Sequence, residues 1–202
     1  MTNSILNFKI ISKIFSDFLD NSSAIPGYKE KLNHLIWLNI KTNQELWNLE
    51  DLARMVELGS EYIAMTKQEI DKNNQIRNDL IREIDIEISD QISVSSGHQE
   101  RFYSETPGMI IDRLAILFIK LSVIRDLLPV IKEKDLQEEY QGKENIILKQ
   151  IDRIGNFLDS YFTRLVRKEV FFEIQHHVKI YNDKKIRKYI KILKKKRSAK
   201  PN

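Results

Sequence analysis

The chain has 202 residues, 42% of them hydrophobic and 31% charged, a composition that suits a globular protein rather than a disordered one. It contains no Cys, which excludes disulfides, thiolate catalysis and thiolate zinc sites and fits a reducing compartment. The net charge of +4 hides an asymmetry: residues 184–202 carry ten Lys or Arg and no acid, which leaves residues 1–183 near −6.

Only six Gly and four Pro interrupt the chain, so long helices are expected. No stretch of about 18 residues is both apolar and uncharged. The nearest, residues 109–128, carries Asp112, Arg113, Lys120, Arg125 and Asp126. The opening residues are broken by Asn3, Asn7 and Lys9, which is unlike a secretory signal, and the expected location is the cytoplasm.

In chain order, Phe8, Ile11, Ile14, Phe15 and Phe18 share one helical face over residues 4–20. A loop follows through Pro26 and Gly27, then a second helix over 28–40. Thr42-Asn43-Gln44-Glu45 has the spacing of a capping box, which predicts a third helix from Asn43 to about Leu58, ended by Gly59. Ser60 caps a long helix to about Ser89, and 93–104 is the longest loop. Thr106-Pro107 predicts a cap and a first-turn proline for a helix that is apolar nearly all round and therefore central. Pro129 ends it. Asp135 opens a short helix that Gly142 breaks. Ile147, Ile151, Ile154, Leu158, Phe162 and Leu165 mark a last long helix, to about Tyr181. No strand-like alternation of useful length occurs. The fold class is all-α, a mainly antiparallel bundle with long central helices over 1–183 and a basic amphipathic C-terminal helix over 184–202.

The long helix from Ser60 carries the most informative pattern. Its heptad positions hold Ile63, Ile70, Arg77 and Ile84, and the adjoining series holds Thr66, Asn73 and Leu80. A guanidinium in an apolar seam needs a partner. The acids considered for Arg77 are Asp71, Asp79, Glu83 and Asp85 on its own helix and Glu50 and Asp51 on the third. Arg54 lies beside the stripe formed by Leu46, Leu49, Ala53 and Val56. Arg113 and Lys120, seven apart, share a face of the central helix with Asp112 beside them. Three readings stay open: a buried structural network, a ligand or active site in the bundle core, or residues that face water. For the second, the anion-binding candidates are Arg54, Asn73, Arg77, Asn78, Arg113 and Lys120. The candidate acid–base groups are Glu50, Asp51, Asp79, Glu83 and Asp112. The carboxylates also suit Mg²⁺, although they lack the repeated Glu-x-x-Glu spacing of all-helical pyrophosphatases. Glu173-x-x-His176 is one half-site of a di-metal bundle without its second half, so no metal site is predicted.

Ile186, Tyr189, Ile190 and Leu193 stand at i, i+3, i+4 and i+7 among lysines. This helix could lie on a membrane surface, bind nucleic acid or pack on the acidic body.

Trp47-x-x-Glu50-Asp51-x-Ala53-Arg54, Asn74-Gln75-x-Arg77-Asn78-Asp79 and Glu105-Thr106-Pro107-Gly108-x-x-x-Asp112-Arg113-Leu114 together resemble a bacterial domain-of-unknown-function family, four-two-five-four. The resemblance covers residues 30–130 and implies a helical protein encoded beside glycosyltransferases of lipopolysaccharide or other surface-polysaccharide assembly. It supplies no catalytic residues. Three functions follow as expectations. The first is binding or processing of an anionic, phosphorylated or sugar-linked small molecule in surface-polysaccharide metabolism. The second is a non-enzymatic scaffold for glycosyltransferases, peripheral at the inner membrane. The third is nucleic-acid binding through the tail.

Overall fold

The computed structural model describes residues 6–20, 30–92, 101–175 and 186–198. Among them are six α-helices: α1 (Phe8–Asp20), α2 (Lys31–Leu52), α3 (Ser60–Ile92), α4 (Pro107–Leu127), α5 (Lys134–Val166) and α6 (Arg187–Ser198). The two strands, β1 (Arg101–Phe102) and β2 (Val170–Phe171), pair in parallel and are two residues each. The fold is all-α. No helix among the described residues is long and apolar enough to cross a membrane.

The core forms around α4, which packs against α1, α2, α3 and α5. Ile110, Ile111, Leu114, Ala115, Phe118 and Ile119 are all buried, and together they span about half of the helix circumference. The Phe15 and Phe118 rings meet edge to face at 5.3 Å, joining α1 to α4. The α1 N-terminus is held by Asp159 of α5, whose Oδ1 accepts from the Phe8 amide at 2.7 Å. Thr106 caps α4 by accepting from the Met109 amide, with Pro107 in the first turn, as its sequence predicts.

Several expected boundaries are corrected. α2 does not stop at Ile40: it runs through Thr42 and Asn43, both buried. Asn43, the expected first residue of a new helix, lies inside α2, where its side-chain amide donates to the Asn39 carbonyl one turn back and to Asp112 across the core. α2 ends at Leu52, and a 3₁₀ turn, Val56–Leu58, leads to Gly59. Gly59 has φ +83, a region other residues rarely enter, and its carbonyl accepts from the Ile63 amide to start α3. Residues 54–62 are exposed throughout, so Val56 is not core and the end of the α2–α3 hairpin projects from the body. α5 starts at Lys134 and is continuous through Gly142, with no short helix before it. It ends at Val166, not near Tyr181. Lys168 adopts φ 57, its amide donates to Leu165 and the Glu169 amide donates to Arg164, which is a Schellman ending on a non-glycine residue. The expected loop at 21–27, residues 93–100 of the longest loop, His176 and the Asn182-Asp183 break lie outside the described residues.

Two glycines give opposite expectations. A Cβ on Gly108 would stand 2.5 Å from the Ile81 carbonyl oxygen, so α3 and α4 touch backbone to backbone there. Gly142 faces open space in mid-helix. Gly108→Ala should lower unfolding free energy by about 1–3 kcal/mol, from overpacking. Gly142→Ala should raise it by roughly 0.5–1 kcal/mol. Urea unfolding of the two variants beside the parent checks both signs.

Candidate functional site

The polar residues of the α3 seam meet the central helix at Asp112, which is 4% exposed. Arg77 donates to it through two nitrogens: Nε to Oδ1 at 2.9 Å and Nη2 to Oδ2 at 2.9 Å. From α2, the Asn39 and Asn43 amides each donate to Oδ1, at 3.0 and 2.9 Å. One carboxylate thus ties α2, α3 and α4 together. The partner of Arg77 is none of the six acids considered from the sequence. It comes from the central helix, where the fork geometry of guanidinium and carboxylate matches.

One turn earlier on α4 is a second buried carboxylate, Asp85 of α3, whose Oδ1 accepts from the Gly108 amide at 2.7 Å. Burial pushes its carboxyl up to about 6, against the opposing pull of hydrogen bonds from the Thr106 hydroxyl and the Gly108 amide. The segment facing Asp85 is fixed from both sides. The Tyr161 hydroxyl donates to the Glu105 carbonyl at 3.0 Å, and Arg113 pairs with the Glu105 carboxylate. Burial raises the Tyr161 phenol far above its ordinary range, so it remains a donor.

Between these groups α3 and α4 enclose a cavity of about 300 Å³. Its wall holds Arg77, Asn78, Arg82, Asp85, Thr106, Asp112 and Arg113, with Ile81, Met109 and Ile116 as apolar surface and Gln175 at the edge. Its donors are unequally occupied. Arg113 is paired with Glu105, and Arg77 holds Asp112 through Nε and Nη2, with no partner for its Nη1 among the described residues. Among the described residues Arg82 has one ionic partner, Glu83, at 3.8 Å.

The structure therefore brings together Arg77, Asn78, Asp112 and Arg113 of the sequence candidates. Asn73 is buried but donates within its own helix, to the Glu69 carbonyl at 3.0 Å. Glu50, Asp51 and Arg54 sit at the exposed end of α2 and pair with one another. Asp79 accepts from Gln75, and Glu83 does not line the cavity. Lys120 borders a separate groove with Trp47 and Tyr140. Among the described residues no three His, Asp or Glu side chains gather as metal ligands. Sequence reasoning missed Asn39, Arg82 and the cavity role of Thr106. Asn39 and Asn43 carry a readable signal, since they stand four apart on the helical face that Leu32, Leu35, Ile36, Ile40 and Leu46 form.

The family described as “Protein of unknown function (DUF4254)” matches residues 33–174. The chain belongs to this family. No curated protein and no solved structure matches it. The DUF4254 span takes in α2 to β2, and with them every cavity residue except Gln175. α1 and α6 lie outside it.

Two measurements test this geometry. Arg77→Met should cost roughly 3 kcal/mol of stability by leaving Asp112 buried without its cation. Adding Asp112→Leu should recover more than about 1 kcal/mol of the summed single losses in a double-mutant cycle. Strict additivity would mean that the pair contributes no coupling. For Asp85, the unfolded chain loses its proton near pH 4 and the folded chain near pH 6. The folded state holds more protons between them, so the contribution of Asp85 to stability falls as pH rises through that window. Asp85→Asn keeps an acceptor for Gly108 and lacks this loss. Its stability relative to the parent should improve by roughly 2–3 kcal/mol between pH 4 and pH 7 in urea unfolding. A constant difference across that range refutes the assignment.

Proposed function

We propose that the chain binds an anionic small molecule, phosphorylated or sugar-linked, in the cavity between α3 and α4. The observation that carries this reading is the convergence of Arg77, Arg82 and Arg113 on one cavity, with Arg77 and Arg82 holding donor capacity that no described partner takes up. A volume of about 300 Å³ is at the small end of ligand pockets. Guanidinium groups suit phosphate or carboxylate by paired hydrogen bonds, and the Asn78 amide and Thr106 hydroxyl add neutral contacts. Arg77 is pre-oriented by Asp112, so little side-chain entropy is lost when its free end meets a ligand.

If the bound molecule is also processed, Asp85 supports the role of proton carrier better than Glu50, Asp51, Asp79, Glu83 or Asp112. It borders the cavity and titrates near neutrality, whereas the Asp112 oxygens are filled by donors and the other four acids lie outside the wall. The surface-polysaccharide setting that the family resemblance implies makes nucleotide-sugars and their phosphorylated fragments the first molecules to try.

Thermal denaturation with inorganic phosphate, pyrophosphate, nucleoside diphosphates and nucleotide-sugars tests the proposal. At least one should raise the melting point in proportion to log concentration, since a molecule bound only to the native state stabilises it by about 3 kcal/mol at a hundredfold excess over Kd. Arg82→Ala removes a partly exposed guanidinium whose ion pair is long, so it should leave the unliganded melting point unchanged and weaken binding tenfold or more. No shift with any anion, or an unaltered shift in the Arg82 variant, overturns the reading.

A further inference from the structure

α6 plays no part in the cavity, and its surface has the opposite logic. Among the described elements it packs closely against none. It is nevertheless not a polar helix: Tyr189, Ile192 and Leu193 are 55%, 50% and 57% exposed. At i, i+3 and i+4 they occupy one side of the helix, with Ile186 and Ile190, half-buried, continuing that side. Lys188 and Lys191 are exposed, and Lys194-Lys195-Lys196-Arg197 follow in sequence. The Lys188 ammonium lies over the Tyr189 ring at 4.8 Å. Twelve residues make a rod about 18 Å long.

We infer that α6 is an interfacial helix that seats this protein on an anionic lipid bilayer, lying in the membrane plane with Tyr189, Ile192 and Leu193 in the acyl boundary and the lysines among the headgroups. Three large apolar side chains held in water are unfavourable unless something covers them, and no described element does. The covering surface must be apolar beneath and negative at its face, because cations flank the apolar side. An anionic bilayer has that layering. Nucleic acid would neutralise the lysines but leave Ile192 and Leu193 wet, since phosphate contacts use charge alone. The charge distribution assigns the task to this helix. Residues 184–202 hold ten cations and no acid on a body near −6, which an anionic surface would otherwise repel.

The test is flotation of the full chain with vesicles of phosphatidylglycerol and phosphatidylcholine, against vesicles of phosphatidylcholine alone. The parent should float with the anionic vesicles and stay behind with the neutral ones. Ile192→Ser with Leu193→Ser leaves the charge unchanged and touches no packed residue, so it should keep the melting point and lose at least tenfold in anionic vesicle binding. Lys188→Gln with Lys191→Gln should weaken binding and reduce its salt sensitivity. Anionic binding that survives the double serine change shows attraction by charge alone and overturns the inserted helix. Absence of flotation, with salt-sensitive retention on duplex DNA that the serine change leaves intact, overturns it in favour of nucleic acid.

Discussion

A single buried carboxylate sets the geometry on which the rest depends. Asp112 is buried in the second turn of the most apolar of the described helices, where an unpaired charge would cost several kcal/mol. It is tolerated because α2 sends two amides and α3 sends a guanidinium fork to the same two oxygens. Hydrophobic packing alone lets helices slide, since neighbouring apolar ridges are nearly equivalent. A four-residue polar cluster does not, because a shift by one position leaves donors and acceptor unmatched in a dry environment. The aliphatic contacts around α4 therefore supply cohesion, while Asp112 sets register. Gly108 reinforces this one turn away by letting the α3 carbonyl at Ile81 approach α4 directly.

The helices were legible wherever apolar spacing was regular and the ends carried their own chemistry. The α1 face, the Thr106-Pro107 start of α4 and the heptad phase of α3, with Thr66, Ile70, Asn73 and Ile84 buried, could be read from residue order. Boundaries failed where a local rule met a tertiary use for the same side chain. Thr42 and Glu45 have the spacing of a capping box, but α2 runs through them, and Asn43 between them is held inside the helix by an acceptor on another one. Gly142 can end a helix, but it did not outweigh the residues around it. Lys168 ended α5 with a backbone conformation that glycine usually marks, so composition carried no warning. β1 and β2 are two residues long, and their pairing depends on bringing 101 and 170 together, which no local pattern encodes.

The candidate site was half legible, for a related reason. That Arg77 needed an acid followed from its position, and that Asp112 lay near the charged seam followed from α4. Which acid it met did not follow, because periodicity orders residues within a helix and says nothing of the rotation between helices. The same gap explains Glu50, Asp51 and Arg54. Arg54 has the spacing of a residue that flanks a buried stripe, but all three are exposed and no described element covers them. The Glu105-to-Leu114 motif is the opposite case, since nearly every distinctive member has a contact. Glu105 pairs with Arg113, Thr106 caps, Gly108 admits α3, Asp112 gathers the helices and Leu114 is fully buried.

A structural network and a ligand site are usually posed as rivals for residues such as these, and here the geometry lets one support the other. Asp112 is saturated by donors on the core side, so it has little capacity left for chemistry. That saturation holds the Arg77 guanidinium at the cavity wall, with Nη1 unspent on any described residue. Asp85 shows the complementary arrangement. Its fixed contacts, the Thr106 hydroxyl and the Gly108 amide, are neutral donors, so burial prevails and its proton is retained to about pH 6. One carboxylate has its charge compensated and acts as an anchor. The other is held by neutral groups and keeps its capacity to exchange a proton. Two acids 27 residues apart in sequence differ in this way because α2 and α3 bring amides and a guanidinium to Asp112, whereas the start of α4 brings only neutral donors to Asp85, and that difference divides the cavity into a fixed cationic wall and a titratable one.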